Sequence, residues 1–221
     1  MPALAKKPWF TRDFFQFLVE LRFNNERPWF NANKARFEAQ VKIPFQNFMA
    51  QLAPKVAQLN KAYTYPKAFR IYRDTRFAKD KTPYKTHAAG QFRHRVAADD
   101  VHAPGFYLHL EAGESFAGGG IWRPESEALK AVRDRIARKD PAWMAIKRSK
   151  MPLWDDDGLI RVPKGFDPEH PLAEDLKRRN FITWVDFTDK QVCAPDFLAR
   201  VVDAFRKTNP LMLFLNKSMG L

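Results

Sequence analysis

Cysteine and long apolar runs are scarce in this sequence, and both shortages exclude classes of protein. The single cysteine, Cys193, excludes an internal disulfide framework and a zinc site built from several cysteines. The longest uninterrupted apolar run, residues 211–215, is far too short to cross a bilayer. No apolar stretch follows Lys6 and Lys7 near the N-terminus, so we expect no secretory signal, no membrane partner and a cytoplasmic location.

Internal repeats and flexible linkers are also lacking. No segment recurs with a period of roughly 20–50 residues, which excludes solenoids and propellers. No stretch rich in glycine and serine divides the chain. With 221 residues, of which 45% are apolar, the chain is long enough to bury a core, and its 20 phenylalanines predict an aromatic one. We therefore predict a single domain over residues 1–221.

Acidic residues are fewer than basic ones, and the excess positive charge is concentrated in the first half of the chain. The formal net charge is +13. Residues 1–100 hold 19 Lys and Arg against 8 Asp and Glu, whereas residues 101–221 hold 19 against 17. A concentrated positive field attracts phosphates, carboxylates, nucleic acid or an acidic protein surface. Solubility alone needs no such concentration, so the asymmetry favours an anionic partner.

The order of periodic segments predicts an α+β fold with a mostly antiparallel sheet and helices packed on one face. Apolar residues at helical spacing predict helices after Thr11, from Pro28 to Asn60, after Pro124, after Asp140 and after Pro195. Alternating apolar residues predict strands near residues 69–72, 91–96, 105–111, 115–122 and 182–187. The sheet face without helices would carry Arg70, Tyr72, Tyr107, His109 and Glu111.

A basic segment with interleaved tyrosines is the strongest candidate for a ligand site. Residues 70–85 hold six cations against only Asp74 and Asp80. Arginine forks match the oxygens of a phosphate or carboxylate, and tyrosines add stacking faces and hydroxyl donors. The alternative is that these cations pair with carboxylates of the chain itself. The candidate ligand-binding residues are Arg70, Tyr72, Arg73, Arg76, Lys79, Lys81, Tyr84, Lys85 and Tyr107.

A histidine and a carboxylate two residues apart form the candidate catalytic pair. The period of two along a strand places His109 and Glu111 on one face. A histidine near a carboxylate can act as a general base or join a metal site. The alternative is a histidine held by structural hydrogen bonds on a half-covered sheet. The spacings of the other nearby histidines match no metal-binding template, so we predict no metal site and leave the cofactor open. These histidines are His87, His94 and His102.

The run Gly118-Gly119-Gly120 falls within a predicted strand. Glycines permit the close approach of a ligand or of another chain segment. No Lys-Ser or Lys-Thr pair follows, so the run is not a phosphate-binding P-loop, and it lacks the strand–loop–helix context of a dinucleotide site. We expect a bulge or room for a neighbouring aromatic side chain at least as readily as contact with a ligand.

Three longer motifs lie in the first 122 residues. They are NNERPWFNANK at 24–34, FRIYRDTRFAKDKTPYKTH at 69–87 and PGFYLHLEAGESFAGGGIW at 104–122. Together they resemble a widespread bacterial and fungal family that is known as a conserved domain of unknown function. The resemblance extends over nearly the whole chain, with Ala112 standing where the family pattern has proline. It implies no activity, cofactor or catalytic residue.

The leading functional hypothesis is that a basic and aromatic pocket binds an anionic small molecule, with His109 or Glu111 as the acid–base group of an enzyme. It predicts that the basic groups converge on a concave site with His109 on its floor. One alternative is a nucleic-acid-binding module, which the charge favours but for which no helix-turn-helix, zinc-finger or RNA-recognition signature is present. The other is a structural or interaction domain in which the arginines pair internally. The sequence does not determine the oligomeric state.

Overall fold

A computed structural model describes residues 7–97, 100, 103–154 and 157–221. Its strands form one antiparallel sheet in which neighbours in sequence are neighbours in space. The strands in the described residues are β1 (Tyr63–Ala68), β2 (Ala88–His94), β3 (Gly105–Leu110), β4 (Ser115–Ile121) and β5 (Phe181–Phe187). The predicted α+β class with an antiparallel sheet is confirmed.

Helices precede the sheet, interrupt it and follow it. Before it come α1 (Arg12–Phe23), α2 (Arg27–Ala32), α3 (Lys34–Phe37), a π-helical turn (Glu38–Lys42) and α4 (Ile43–Leu59). Between β4 and β5 lie α5 (Ser126–Ala137), α6 (Pro141–Arg148) and α7 (Ala173–Leu176). After β5 come α8 (Asp189–Val192) and α9 (Phe197–Ser218). None of the described helices combines the length and apolar character needed to span a bilayer.

The longest helices cover one face of the sheet. The alternation of β3 turns Phe106, Leu108 and Leu110 to this face, where all three are fully buried. There α4 packs on β1 and β2, and α9 packs on β4 and β5. The ring of Phe106 lies 4.8 Å from that of Phe205 in α9. The opposite face of β3 carries the polar and aromatic side chains of Tyr107 and His109.

The buried side chains form two clusters that share α9. The larger cluster lies between the sheet, α1 and α4 and includes Phe205 and Met212 of α9. The smaller one lies around α5, α6 and α7 and includes Leu211 and Leu215 of the same helix. The aromatic core expected from the phenylalanine content is present in the larger cluster, where the rings of Phe48 and Phe197, among others, stack on one another.

The strand predicted at residues 69–72 is wrong. The strand ends at Ala68, and beyond it only an isolated bridge joins Tyr72 to Tyr84. The true strand contains Pro66, which interrupts the pattern in the sequence but is tolerated because β1 lies at the edge of the sheet. Arg70 and Tyr72 therefore do not lie on the open sheet face, as predicted, but in the connection after β1.

The long helix predicted from Pro28 to Asn60 is also interrupted more than expected. Two short helices and the π-helical turn precede Pro44, which lies in the first turn of α4. Pro44 thus lies where the π-helical turn passes directly into α4. Thr11 precedes α1 as predicted, although its side chain makes no capping hydrogen bond.

Candidate functional site

The open face of the sheet carries the predicted catalytic pair. Tyr107 and His109 alternate with the buried apolar residues of β3, and Glu111 follows one residue after the strand. His109 pairs with Ala89 of β2 on one side and with Phe116 of β4 on the other. The strand period therefore places these side chains together, as the sequence predicts.

Hydrogen bonds link the three polar side chains in order. Tyr107 Oη lies 3.2 Å from His109 Nδ1, and His109 Nε2 lies 3.1 Å from Glu111 Oε2. The histidine ring also stacks on Phe116, with a centroid distance of 4.9 Å and an interplanar angle of 7°. With Glu111 ionised, Nε2 donates to the carboxylate and the Tyr107 hydroxyl donates to Nδ1.

Two residues from other elements hold the second oxygen of the Glu111 carboxylate. Arg22 of α1 donates to Oε1 at 2.8 Å, and the hydroxyl of Thr86 donates to the same atom at 2.7 Å. Since Oε1 is occupied in this way, Oε2 points toward the histidines. The carboxylate therefore has a fixed orientation.

His87 completes a compact group, which we call the His–Glu cluster (His87, His109 and Glu111). The rings of His87 and His109 lie 4.3 Å apart, and His87 Nδ1 lies 3.7 Å from Glu111 Oε2. One nitrogen of each histidine and one carboxylate oxygen all lie within 4.8 Å of one another, and all three residues are partly buried. The cluster can move protons or present three lone pairs to a cation.

The surroundings set the charge of the cluster. Burial alone would raise the pKa of Glu111, but hydrogen bonds from His109, Thr86 and Arg22 outweigh it and lower that pKa to about 2. Burial lowers the pKa of His87 to about 4, and the nearby His109 acts in the same direction. Burial raises the pKa of Tyr107 to about 12. At neutral pH the carboxyl group is therefore ionised, His87 is neutral and the phenol keeps its proton.

A cavity of about 550 Å³ opens beside Tyr107 on the open sheet face. We call it the aromatic cavity, because its described lining is largely aromatic and contains no charged side chain. Its aromatic walls are Tyr107, Phe116, Trp122, Trp154 and Trp184. Such a cavity suits the flat apolar part of a ligand.

The three glycines of β4 line this cavity and make room for the neighbouring strand. A methyl group on Gly118 would overlap the Thr183 carbonyl and approach Trp184 Cα to 2.6 Å. Gly120 has φ of +143°, and a methyl group there would meet the backbone of Phe181 and Ile182. The close approach of a chain segment therefore accounts for the glycine run.

A second hollow, of about 420 Å³, lies where the chain after β1 meets the segment from α2 to α4. We call it the Arg70 hollow. Its walls are largely aromatic, and Arg70, Lys34 and His87 also line it. Its acidic lining residue, Glu38, already pairs with Lys42 at 3.4 Å. Because His87 borders this hollow and Tyr107 borders the aromatic cavity, the His–Glu cluster lies between the two.

Several cations of the basic segment pair locally. Arg76 bonds to Asp74 at 2.7 Å, and Arg73 bonds to Asp80 and Thr82. Hydrogen bonds from these arginines lower the pKa of both aspartates to about 2. Lys81 donates to the carbonyl of Thr75 at 2.9 Å. The pairing with carboxylates considered as an alternative is thus present for Arg73 and Arg76.

The other predicted ligand residues differ in their surroundings. Tyr84 is buried in the core, and its ring stacks on that of Phe30 with a centroid distance of 4.1 Å. The Lys85 ammonium lies 5.3 Å from the Phe69 ring centre. Arg70 and Lys79 are exposed and make no hydrogen bond or ion pair within the described ranges, but of these two only Arg70 lines the hollow.

Sequence reasoning missed Thr86 and Arg22, and it named His87 without placing it beside His109 and Glu111. Thr86 and His87 end the basic motif, and that position was the available signal for them. Arg22 is 89 positions from Glu111, and no local pattern connects the two. Of the other histidines, His94 faces the helices against Tyr63, at a ring distance of 5.5 Å, and His102 lies outside the described residues.

A comparison with protein-family models identifies the family of the chain. A family model described as "Conserved hypothetical protein (DUF2461)" matches residues 13–214 and so includes all five strands and the described site. No curated protein matches the chain. The resemblance to a conserved family of unknown function that the sequence motifs indicated is confirmed.

Proposed function

The chain belongs to this family of conserved hypothetical proteins, and from its own side chains we propose that it binds a small molecule bearing a carboxylate or phosphate group. The binding site is the Arg70 hollow. One observation carries the proposal: Arg70 lines a concave site with aromatic walls and, within the described residues, makes neither a hydrogen bond nor a direct ion pair, since its charge reaches Asp74 only through space.

The contrast between neighbouring arginines supports this choice of site. Arg73 and Arg76 form direct ion pairs with aspartates of their own segment, whereas Arg70 acts on Asp74 only at longer range. Lys34, which also lines the hollow, has no carboxylate partner in the part of the chain that the structure describes. A guanidinium fork and an ammonium that line the same hollow suit the several oxygens of a phosphate or carboxylate.

The local field adds to the attraction. Burial lowers the pKa of Lys85, and the charge of Arg70 lowers it further. The two cations therefore repel each other in the free protein. An anion bound beside Arg70 would offset this repulsion, and a neutral ligand would not.

The walls of the hollow suit an apolar body attached to the charged group. They include Phe30, Phe37, Phe45 and Phe69. Each buried ligand methylene contributes about 0.8 kcal/mol. Glu38, Val41 and Lys42 of the wall belong to the π-helical turn, an irregularity that is frequent at functional sites.

The reactive groups nearest to such a ligand belong to the His–Glu cluster. His87 borders the hollow. Its ring lies 4.3 Å from that of His109, and its Nδ1 lies 3.7 Å from Glu111 Oε2. The pair His109–Glu111 is arranged like a base with its orienting carboxylate, so we propose it as the acid–base centre for chemistry on the bound molecule.

The first test compares two arginines of the basic segment. We expect wild-type protein to bind phenyl phosphate and benzoate more tightly than phenol and benzamide, as measured by calorimetry. Arg70→Gln should weaken the binding of the anions roughly tenfold to hundredfold, because it removes charge-assisted hydrogen bonds. Arg76→Gln, which removes an exposed arginine already paired with Asp74, should leave the affinity unchanged.

Equal effects of the two substitutions would contradict a local site. If both also weakened the salt-sensitive binding of a generic oligonucleotide, the result would favour the nucleic-acid alternative. No discrimination between phenyl phosphate and phenol by the wild-type chain would dismiss the anion proposal itself.

A further inference from the structure

The geometry points to a binding site for one divalent transition-metal ion at His87, His109 and Glu111. This inference does not depend on the anion proposal, because it concerns different side chains and is tested with the metal alone. It also goes beyond the histidine spacings in the sequence, which match no template.

Two of the three donor-atom separations are close to those that a metal ion requires. His109 Nε2 and His87 Nδ1 lie 3.1 and 3.7 Å from Glu111 Oε2, and all three atoms lie within 4.8 Å of one another. Bonds of about 2.0–2.2 Å place adjacent ligand atoms roughly 3.0–3.5 Å apart. Small adjustments of the partly exposed His87 ring bring its nitrogen into this range.

Neighbouring groups already hold the atoms that would not bind the ion. Arg22 and Thr86 occupy Oε1 of Glu111, which leaves Oε2 for the metal. Binding of an ion at His109 Nε2 requires the tautomer with the proton on Nδ1, which then donates to the Tyr107 hydroxyl in place of the tautomer described above for the free cluster, and this contact orients Nε2 inward. Outer hydrogen bonds of this kind fix the rotamer and tautomer of metal ligands.

The donor set selects the class of metal. Two imidazole nitrogens and one carboxylate oxygen suit Zn²⁺, Fe²⁺, Co²⁺ or Ni²⁺, whereas Mg²⁺ and Ca²⁺ prefer oxygen ligands alone. Arg73 and Lys85 lie close enough to His87 to act on its charge. Their repulsion further disfavours weakly bound hard cations and leaves ions that bond strongly to nitrogen.

The position of the cluster leaves room for a ligand on the metal. Three protein ligands leave at least one coordination position open, as in catalytic rather than structural sites. The Arg70 hollow borders His87, so the anion proposed above would lie beside this open position. A metal at this point would polarise a carboxylate or phosphate oxygen of that molecule.

The experiment measures metal binding to the full chain after treatment with a chelator and dialysis. We expect calorimetric titration with Zn²⁺ to show one ion per chain, and Co²⁺ to develop the visible absorption of a nitrogen- and oxygen-bound ion. His87→Ala and Glu111→Gln should each weaken Zn²⁺ binding by at least about a hundredfold. His87 makes no side-chain hydrogen bond with described residues, so its removal tests the ligand without disturbing the fold.

His170→Ala is the matched control, because His170 is a partly buried histidine that bonds to backbone atoms outside the cluster. It should bind Zn²⁺ like the wild type. Arg70→Gln should also keep the metal, so failure of the anion proposal and failure of the metal site give different results. Absence of saturable Zn²⁺ and Co²⁺ binding by the folded wild type overturns the inference, and so does wild-type affinity in both His87→Ala and Glu111→Gln.

Discussion

Gly118→Ala is expected to lower the melting temperature by roughly 6–12 °C, which corresponds to a loss of about 3 kcal/mol for a chain of this size. The added methyl group would overlap the Thr183 carbonyl and lie 2.6 Å from Trp184 Cα. Both obstacles are backbone atoms of β5, so no side-chain rotation relieves the overlap. The two strands must separate and weaken their hydrogen bonds.

A second glycine of the same chain provides the control for this effect. At Gly158 an added methyl group would meet its nearest neighbour among the described residues, the Lys177 carbonyl oxygen, only at 3.8 Å, which is ordinary contact. Gly158→Ala should therefore leave the melting temperature within a few degrees of the wild type, as measured by calorimetry or circular dichroism. A melting temperature of Gly118→Ala as close to the wild type as that would show that β4 and β5 adapt without cost.

Asp175→Ala is expected to destabilise the protein by about 3–5 kcal/mol, because it removes the carboxylate from a buried ionic group. The Asp175 side chain is 2% exposed and accepts hydrogen bonds from Trp143 Nε1 at 3.2 Å and Lys147 Nζ at 3.1 Å. Arg178 Nε lies 3.5 Å from the same carboxylate. Without it, Lys147 and Arg178 lose this carboxylate, and the indole N–H is left without this acceptor.

The adjacent residue separates burial from charge. Glu174 pairs with Lys177 at 2.7 Å but its side chain is 82% exposed, so Glu174→Ala should cost below about 1 kcal/mol. Asp175→Asn keeps an acceptor for the indole and should fall between the two alanine variants. The midpoints of urea unfolding measure all three, and similar midpoints for Asp175→Ala and Glu174→Ala would refute the buried role.

The predictable part of the site is the part that depends on local geometry. His109 and Glu111 share a strand face because a strand has a period of two, and the sequence shows this directly. His87 reaches them only because β2 pairs with β3 in a register that sets Ala89 opposite His109. That register depends on turn geometry and burial across the whole sheet, so histidine spacing alone does not reveal the cluster.

The number of charged residues can be read from the sequence, but which of them pair with each other cannot. The excess of cations in residues 70–85 drew attention to the segment that contains Arg70 of the hollow, yet Arg73 and Arg76 bond to aspartates within seven positions of themselves. A formal count cannot distinguish a neutralised guanidinium from a free one. The wrong position predicted for the edge strand has a different cause. Pro66 interrupts the alternating pattern of β1 in the sequence, although a proline is tolerated in a strand at the edge of a sheet.

The division of β3 between two faces ties the integrity of the interior to that of the polar cluster. Pairing β3 one residue out of register would turn Phe106, Leu108 and Leu110 to water and press Tyr107 and His109 against the helices. Such a molecule would lose its stability together with the His–Glu cluster. Chains with β3 out of register should therefore not accumulate in a folded form. In the cell, chaperones and proteases would handle them as unfolded protein.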